Sequence, residues 1–119
     1  MTMRNLDYNQ EPKSLPDLGY QELICMIEKI MDVETDEEEQ IFLVRTIDMT
    51  LPSADVSDLI YWPNAWFNDE KMLQIELTGA EIANYILAWT EKRLPGSEEI
   101  DLPEIPPTKR RGPPPVIAL

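Results

Sequence analysis

Thr35-Asp36-Glu37-Glu38-Glu39-Gln40-Ile41-Phe42-Leu43-Val44-Arg45-Thr46-Ile47-Asp48-Met49-Thr50 opens and closes like a helix. Thr35 and Glu38 stand at the spacing of a capping box, in which the hydroxyl and the carboxylate each take a backbone N–H of the first turn. The acidic first turn suits the positive end of the helix dipole. The segment is therefore predicted to be helical from about Asp36 to Thr50, stopping before Pro52. Its middle is unusual, because Ile41, Phe42, Leu43 and Val44 are consecutive. Neighbours on a helix are rotated by about 100°, so the four together span most of the circumference and one core cannot take them all. Either an unusually wide face is buried, with a neighbouring loop over part of it, or one or two of these side chains sit in a partner interface.

Upstream, Tyr20, Leu23, Ile24, Ile27, Ile30 and Met31 recur at the spacing of one helical face, with Glu22, Glu28 and Lys29 on the other side. The helix-forming pattern begins at Asp17. Downstream, Pro52 to Val56 reads as a loop. Ser57-Asp58 then offers an N-cap to Leu59-Ile60-Tyr61-Trp62, and Pro63 leaves room for little more than one turn. A single turn cannot hide four large side chains, and tyrosine and tryptophan are enriched among interface hot spots. Residues 64–77 are the least legible, reading as a short strand or a packed loop. Thr78-Gly79-Ala80-Glu81 is a second capping box, opening a helix with an Ile82, Tyr85, Ile86, Trp89 stripe that Pro95-Gly96 ends. Residues 1–16 are polar, lack a sustained period and read as an extended arm. Residues 97–119 are acidic, then proline-rich, and read as a flexible tail. What folds is then an all-α helical bundle over residues 17–96, with three long helices and one very short one.

The 119 residues carry 23 acidic and 10 basic side chains, a formal charge of −13. So acidic a chain lacks the lysines and arginines that neutralise phosphate, which argues against nucleic acid or an anionic membrane as direct partner. No apolar run approaches the ~18 residues of a membrane span, and the N-terminus lacks the apolar stretch of a signal peptide. There is no histidine and one cysteine, Cys25, which removes the commonest general base, the commonest zinc ligand and any internal disulfide. Cys25 borders the first apolar stripe, where a thiol is semi-buried rather than reactive. No phosphate-binding loop, Cys-x-x-Cys or EF-hand order is present. The carboxylate runs Glu34 to Glu39 and Glu98 to Asp101 read as solvated faces. The expectation is a small cytoplasmic binding protein with no enzymatic activity, no cofactor and no metal, directed at something basic.

Ser57-Asp58-Leu59-Ile60-Tyr61-Trp62-Pro63 resembles the signature of the immunity proteins for DNase-type colicins and S-type pyocins, with Trp62 where the family has a second tyrosine. The resemblance runs back through Glu37-Glu38-Glu39 and Leu43-Val44. It resumes at Ile82, Asn84, Trp89 and Leu94-Pro95-Gly96, covering about two thirds of the chain. It implies a distorted four-helix bundle with a very short third helix, which binds the nuclease domain of a cognate bacteriocin and protects the producing cell. The variable second-helix positions that select the toxin fall on Glu37, Gln40, Ile41, Val44, Arg45 and Asp48. The shared third-helix anchor falls on Ser57, Asp58, Tyr61 and Trp62. Inhibition in that family acts beside the catalytic centre and denies DNA access by bulk and negative charge; its complexes are among the tightest known. The resemblance further implies a monomer when free, able to leave the cell bound to its toxin.

Three features depart from the family pattern. Ala54-Asp55-Val56 replaces its proline-serine-glycine turn, residues 64–77 are longer and more apolar, and the two terminal segments have no counterpart. Two other classes fit the composition: an acidic adaptor whose tail engages another protein, and a DNA mimic that blocks some other basic protein.

Overall fold

Tyr20 fixes the start of the first helix from two directions. Its N–H donates to the Pro95 carbonyl at 2.8 Å, and its hydroxyl donates to Asn84 Oδ1 at 2.6 Å. The computed structural model describes Arg4 and residues 6–110. These are helical without strands: α1 (Tyr20–Met31), α2 (Glu37–Thr50), α3 (Val56–Tyr61), α4 (Pro63–Phe67), a 3₁₀ turn (Glu70–Gln74), α5 (Gly79–Thr90) and the single turn α6 (Pro107–Arg110). None of these helices is long and apolar enough to cross a membrane.

The apolar spacing places the core as expected. On α1, Tyr20, Leu23, Met26, Ile27 and Ile30 are buried, while Ile24 is half-buried and Met31, at the stripe's edge, is exposed. That face meets α5 and α2, and α3 closes against α2 and α5. At the α5 N-terminus, a Cβ on Gly79 would lie 2.6 Å from Glu28 Cγ, so glycine permits this close approach to α1. The capping box there is formed: Thr78 Oγ1 accepts from Glu81 N–H at 3.1 Å, and Glu81 Oε1 accepts from Thr78 N–H at 2.9 Å.

The other expected capping box is not formed. Thr35 N–H closes a turn onto the Asp32 carbonyl, and α2 starts one residue later with Asp36 as N-cap and no side-chain cap bond. The first turn of α2 relies on the charges of Glu37, Glu38 and Glu39 beside its N–H groups. Glu39 also pairs with Lys29 of α1 at 2.7 Å.

Residues 64–77 are neither strand nor plain loop. Pro63 ends α3 and serves as the first residue of α4, where its missing N–H has no cost. This turn drives Trp66 and Phe67 into the core, both essentially inaccessible. Trp66 Nε1–H donates to the Ala54 carbonyl at 2.8 Å, so the ring's one polar atom is satisfied in the interior. Phe67, Tyr85 and Trp89 stand edge-on around it.

The described parts of both terminal segments pack on the helices. Arg4 bridges Glu22 at 2.6 Å and Asp17 at 3.0 Å, Leu6, Tyr8 and Leu15 lie on the core, and Leu15 N–H donates to Thr50 Oγ1 at 2.9 Å. The tail, expected to be flexible, is held as far as it is described. Ser97 is buried and its hydroxyl donates to the Leu94 carbonyl while accepting from Leu94 N–H. The Arg93 guanidinium donates to the Ser97 and Ile100 carbonyls, and Ile105 is 7% exposed. Isolated apolar residues between prolines carry no period, so neither the arm nor the tail signals its packing in sequence. The terminal residues 111–119 lie outside the described residues.

Candidate functional site

The Ile41–Val44 run divides four ways. Leu43 is in the core and Phe42 is buried, with Leu6 and Leu15 of the N-terminal segment beside it in a small recess. Val44 is half-buried and Ile41 is 45% exposed. A neighbouring segment therefore lies over Phe42, as the first reading expected, and Ile41 is left exposed. On α3 the same division occurs. Val56 and Leu59 are buried, whereas Tyr61 is 49% and Trp62 59% exposed.

Glu37, Gln40, Ile41, Val44 and Arg45 of α2 and Ser57 and Tyr61 of α3 line one open groove of about 430 Å³. Every lining residue is among those singled out from the sequence. The helical repeat explains it: 37, 40, 41, 44 and 45 lie on one face of α2, and the six-residue α3 adds Ser57 and Tyr61, four positions apart on one face. Ile41, Val44 and the Tyr61 ring give the lining its apolar part, and Glu37 and Arg45 give it charge of both signs. A neighbouring recess of about 490 Å³ shares Arg45 and adds Glu11, Pro12, Asp48 and Met49. Glu11, Pro12 and the exposed Met49 were not expected there, because the arm's position on α2 has no sequence signature.

The remaining three expected residues have different places. Trp62 stands at the α3–α4 junction, where its carbonyl accepts from Ala65 and Trp66 N–H. Asp58 is exposed in the first turn of α3. Asp48 is half-buried, and its Oδ1 accepts from Val56 N–H at 3.1 Å, so it serves as the acceptor for the α3 N-terminus in place of Asp55. Burial pushes the Asp48 carboxyl above its ordinary value against the pull of that N–H, and the charges of Asp55 and Asp58 push the same way.

Gln40 also has an internal duty. Its Nε2 donates to the carbonyls of Ile30 at 3.1 Å and Asp32 at 3.2 Å, finishing the C-terminal end of α1. The Tyr61 hydroxyl donates to the same Ile30 carbonyl over a longer 3.4 Å. Groove and core thus share residues at this point.

Away from the groove lining, Trp66 of α4 and Trp89 of α5 form a corner occupied by Lys109, a cluster the sequence did not reveal. Among the described residues no group of carboxylates and thiols converges as a metal site. Comparison of the chain with family models, curated proteins and solved structures finds no match.

Proposed function

We propose that this protein is a bacteriocin immunity protein, which binds the nuclease domain of a cognate colicin- or pyocin-like toxin and blocks its access to DNA. In this reading α1, α2, α3 and α5 are the four helices of the family's distorted four-helix bundle. The α4 turn and the 3₁₀ turn are then additions within the third connection. The α2–α3 groove is the docking face. The observation that carries the proposal is the exposed Tyr61 in one groove with the exposed Ile41, lined wholly by residues on which the family resemblance falls, with Trp62 exposed next to it in sequence.

Large aromatic side chains left half-exposed at a helix end supply the rigid anchors of a tight interface. Glu37 and Asp58 offer charge to a basic partner, and the chain's −13 attracts a basic nuclease while repelling phosphate. The protein inhibits as a bound obstacle and performs no chemistry of its own.

The test is co-purification with, and inhibition of, the C-terminal nuclease domain encoded by the toxin gene directly upstream. One equivalent should abolish DNA cleavage. Association should slow as salt shortens the screening length below ~10 Å, with dissociation far less affected because the aromatic anchors are desolvated. No complex with that domain, or hydrolytic activity in the protein alone that is lost on mutation of its acidic residues, overturns the proposal.

A further inference from the structure

The Trp66 and Trp89 ring centroids are 6.1 Å apart with planes at 69°, forming a corner of two rings. Lys109 Nζ sits in that corner, 4.3 Å from the Trp66 centroid and 4.6 Å from the Trp89 centroid. Among the described residues the ammonium has no carboxylate within ion-pair distance. Burial draws its proton affinity down, while Asp55 and Asp58 favour the charged form from further away.

The corner does not depend on the lysine for its shape. Trp66 is fixed by its bond to the Ala54 carbonyl and by its contacts with Phe67 and Tyr85, while Trp89 is part of α5. The lysine, by contrast, is carried by a single turn of helix. A preformed pair of aromatic faces with two carboxylates nearby is a receptor for a cationic side chain, because the ring quadrupoles and the carboxylate field both favour positive charge.

We infer that the Trp66–Trp89 corner is a binding site for a lysine or arginine side chain of a partner protein, and that Lys109 is a tethered occupant which must leave before that side chain enters. The tail then acts as an intramolecular competitor. This site is separate from the α2–α3 groove, and its existence does not require that the partner be a nuclease.

The experiment uses the full chain and its Lys109→Gln variant, titrated with N-acetyl-lysine methylamide. The uncharged norleucine analogue is the control, and binding is read from the indole N–H resonances of Trp66 and Trp89, with Trp62 as internal reference. The variant should bind the lysine probe saturably and at least tenfold more tightly than the wild type, and should ignore the norleucine analogue. Adding Asp58→Asn to the variant should weaken the probe severalfold. Equal binding by variant and wild type, no saturable shift in a folded variant, or binding of the uncharged analogue overturns the inference. Loss of the fold in Lys109→Gln also overturns it, because the lysine is then a structural fastener. Probe binding without nuclease binding leaves this site standing and removes only the immunity reading.

Discussion

Gln40 on α2 and Tyr61 on α3 donate to one backbone oxygen, the Ile30 carbonyl at the end of α1. Two groove residues therefore also hold three helices in register. A carbonyl has two lone pairs, so losing one donor leaves the oxygen partly satisfied and losing both strands it. Gln40→Ala should cost about 1 kcal/mol and Tyr61→Phe less, because its bond is the longer. The double variant should cost more than the two together, by about 0.5 kcal/mol or more. Urea denaturation of the four proteins checks this; strict additivity would mean that the two bonds are independent.

Trp62 and Trp66 are one helical turn apart and divide the labour between surface and core. Trp62→Ala should leave stability within about 0.5 kcal/mol while weakening nuclease binding by roughly 2–4 kcal/mol. Trp66→Ala should cost about 3–5 kcal/mol of stability, and it also strands the Ala54 carbonyl. Thermal melts paired with titration calorimetry separate the two; a destabilised Trp62→Ala variant would place that ring in the core.

The turn that leads out of α5 rests on Gly96, whose φ of +93° suits no side chain. Gly96→Ala should destabilise by about 1–2 kcal/mol. Ile105→Ala should cost about 2 kcal/mol or more, since its side chain completes the core from beyond that turn. An unchanged melting temperature in Ile105→Ala would show that the tail is not part of the folded unit.

Two sets of carboxylates give the stability opposite responses to pH. The Asp48 carboxyl is raised in the folded state by burial. The fold then binds its proton more tightly than the unfolded chain, and this contribution falls as pH rises from the unfolded value through the folded one. Asp48→Asn keeps an acceptor for Val56 N–H, so it should raise the melting temperature at neutral pH and change little at pH 3. Glu22 and Asp17 are lowered by Arg4. Their contribution is complete above the ordinary carboxylate range and is lost as pH falls through the folded values. Arg4→Ala should therefore destabilise at neutral pH and have little effect in strong acid. Melting curves across pH 2–8 compare the variants.

Periodicity made α1, α2 and α5 legible, because each buries a continuous stripe, and reciprocal capping marked the start of α5. The Tyr61–Trp62 face was legible for a different reason: one turn of helix has too little circumference to hide four large side chains. The α4 turn was not, since five residues contain too few repeats to show a period. The Thr35 hydroxyl misled because cap spacing is necessary but not sufficient, and a competing turn onto Asp32 moved the helix start by one residue. The Lys109 corner joins residues from three separate segments, which no local pattern can show.

The pairing of α1 with the distant α5 also governs how the chain reaches its fold. The Tyr20 hydroxyl meets Asn84 across 64 residues, so a large loop must close before α1 gains its main partner, at an entropic cost set early and repaid late. A helical protein of this size should accordingly fold more slowly than one whose neighbours in sequence are its neighbours in space. During synthesis the apolar face from Leu23 to Ile30 can meet α2 early, but it stays incompletely covered until Ile82 to Leu87 of α5 has left the ribosome. In that interval it is the segment of the chain most open to chaperones and to premature association.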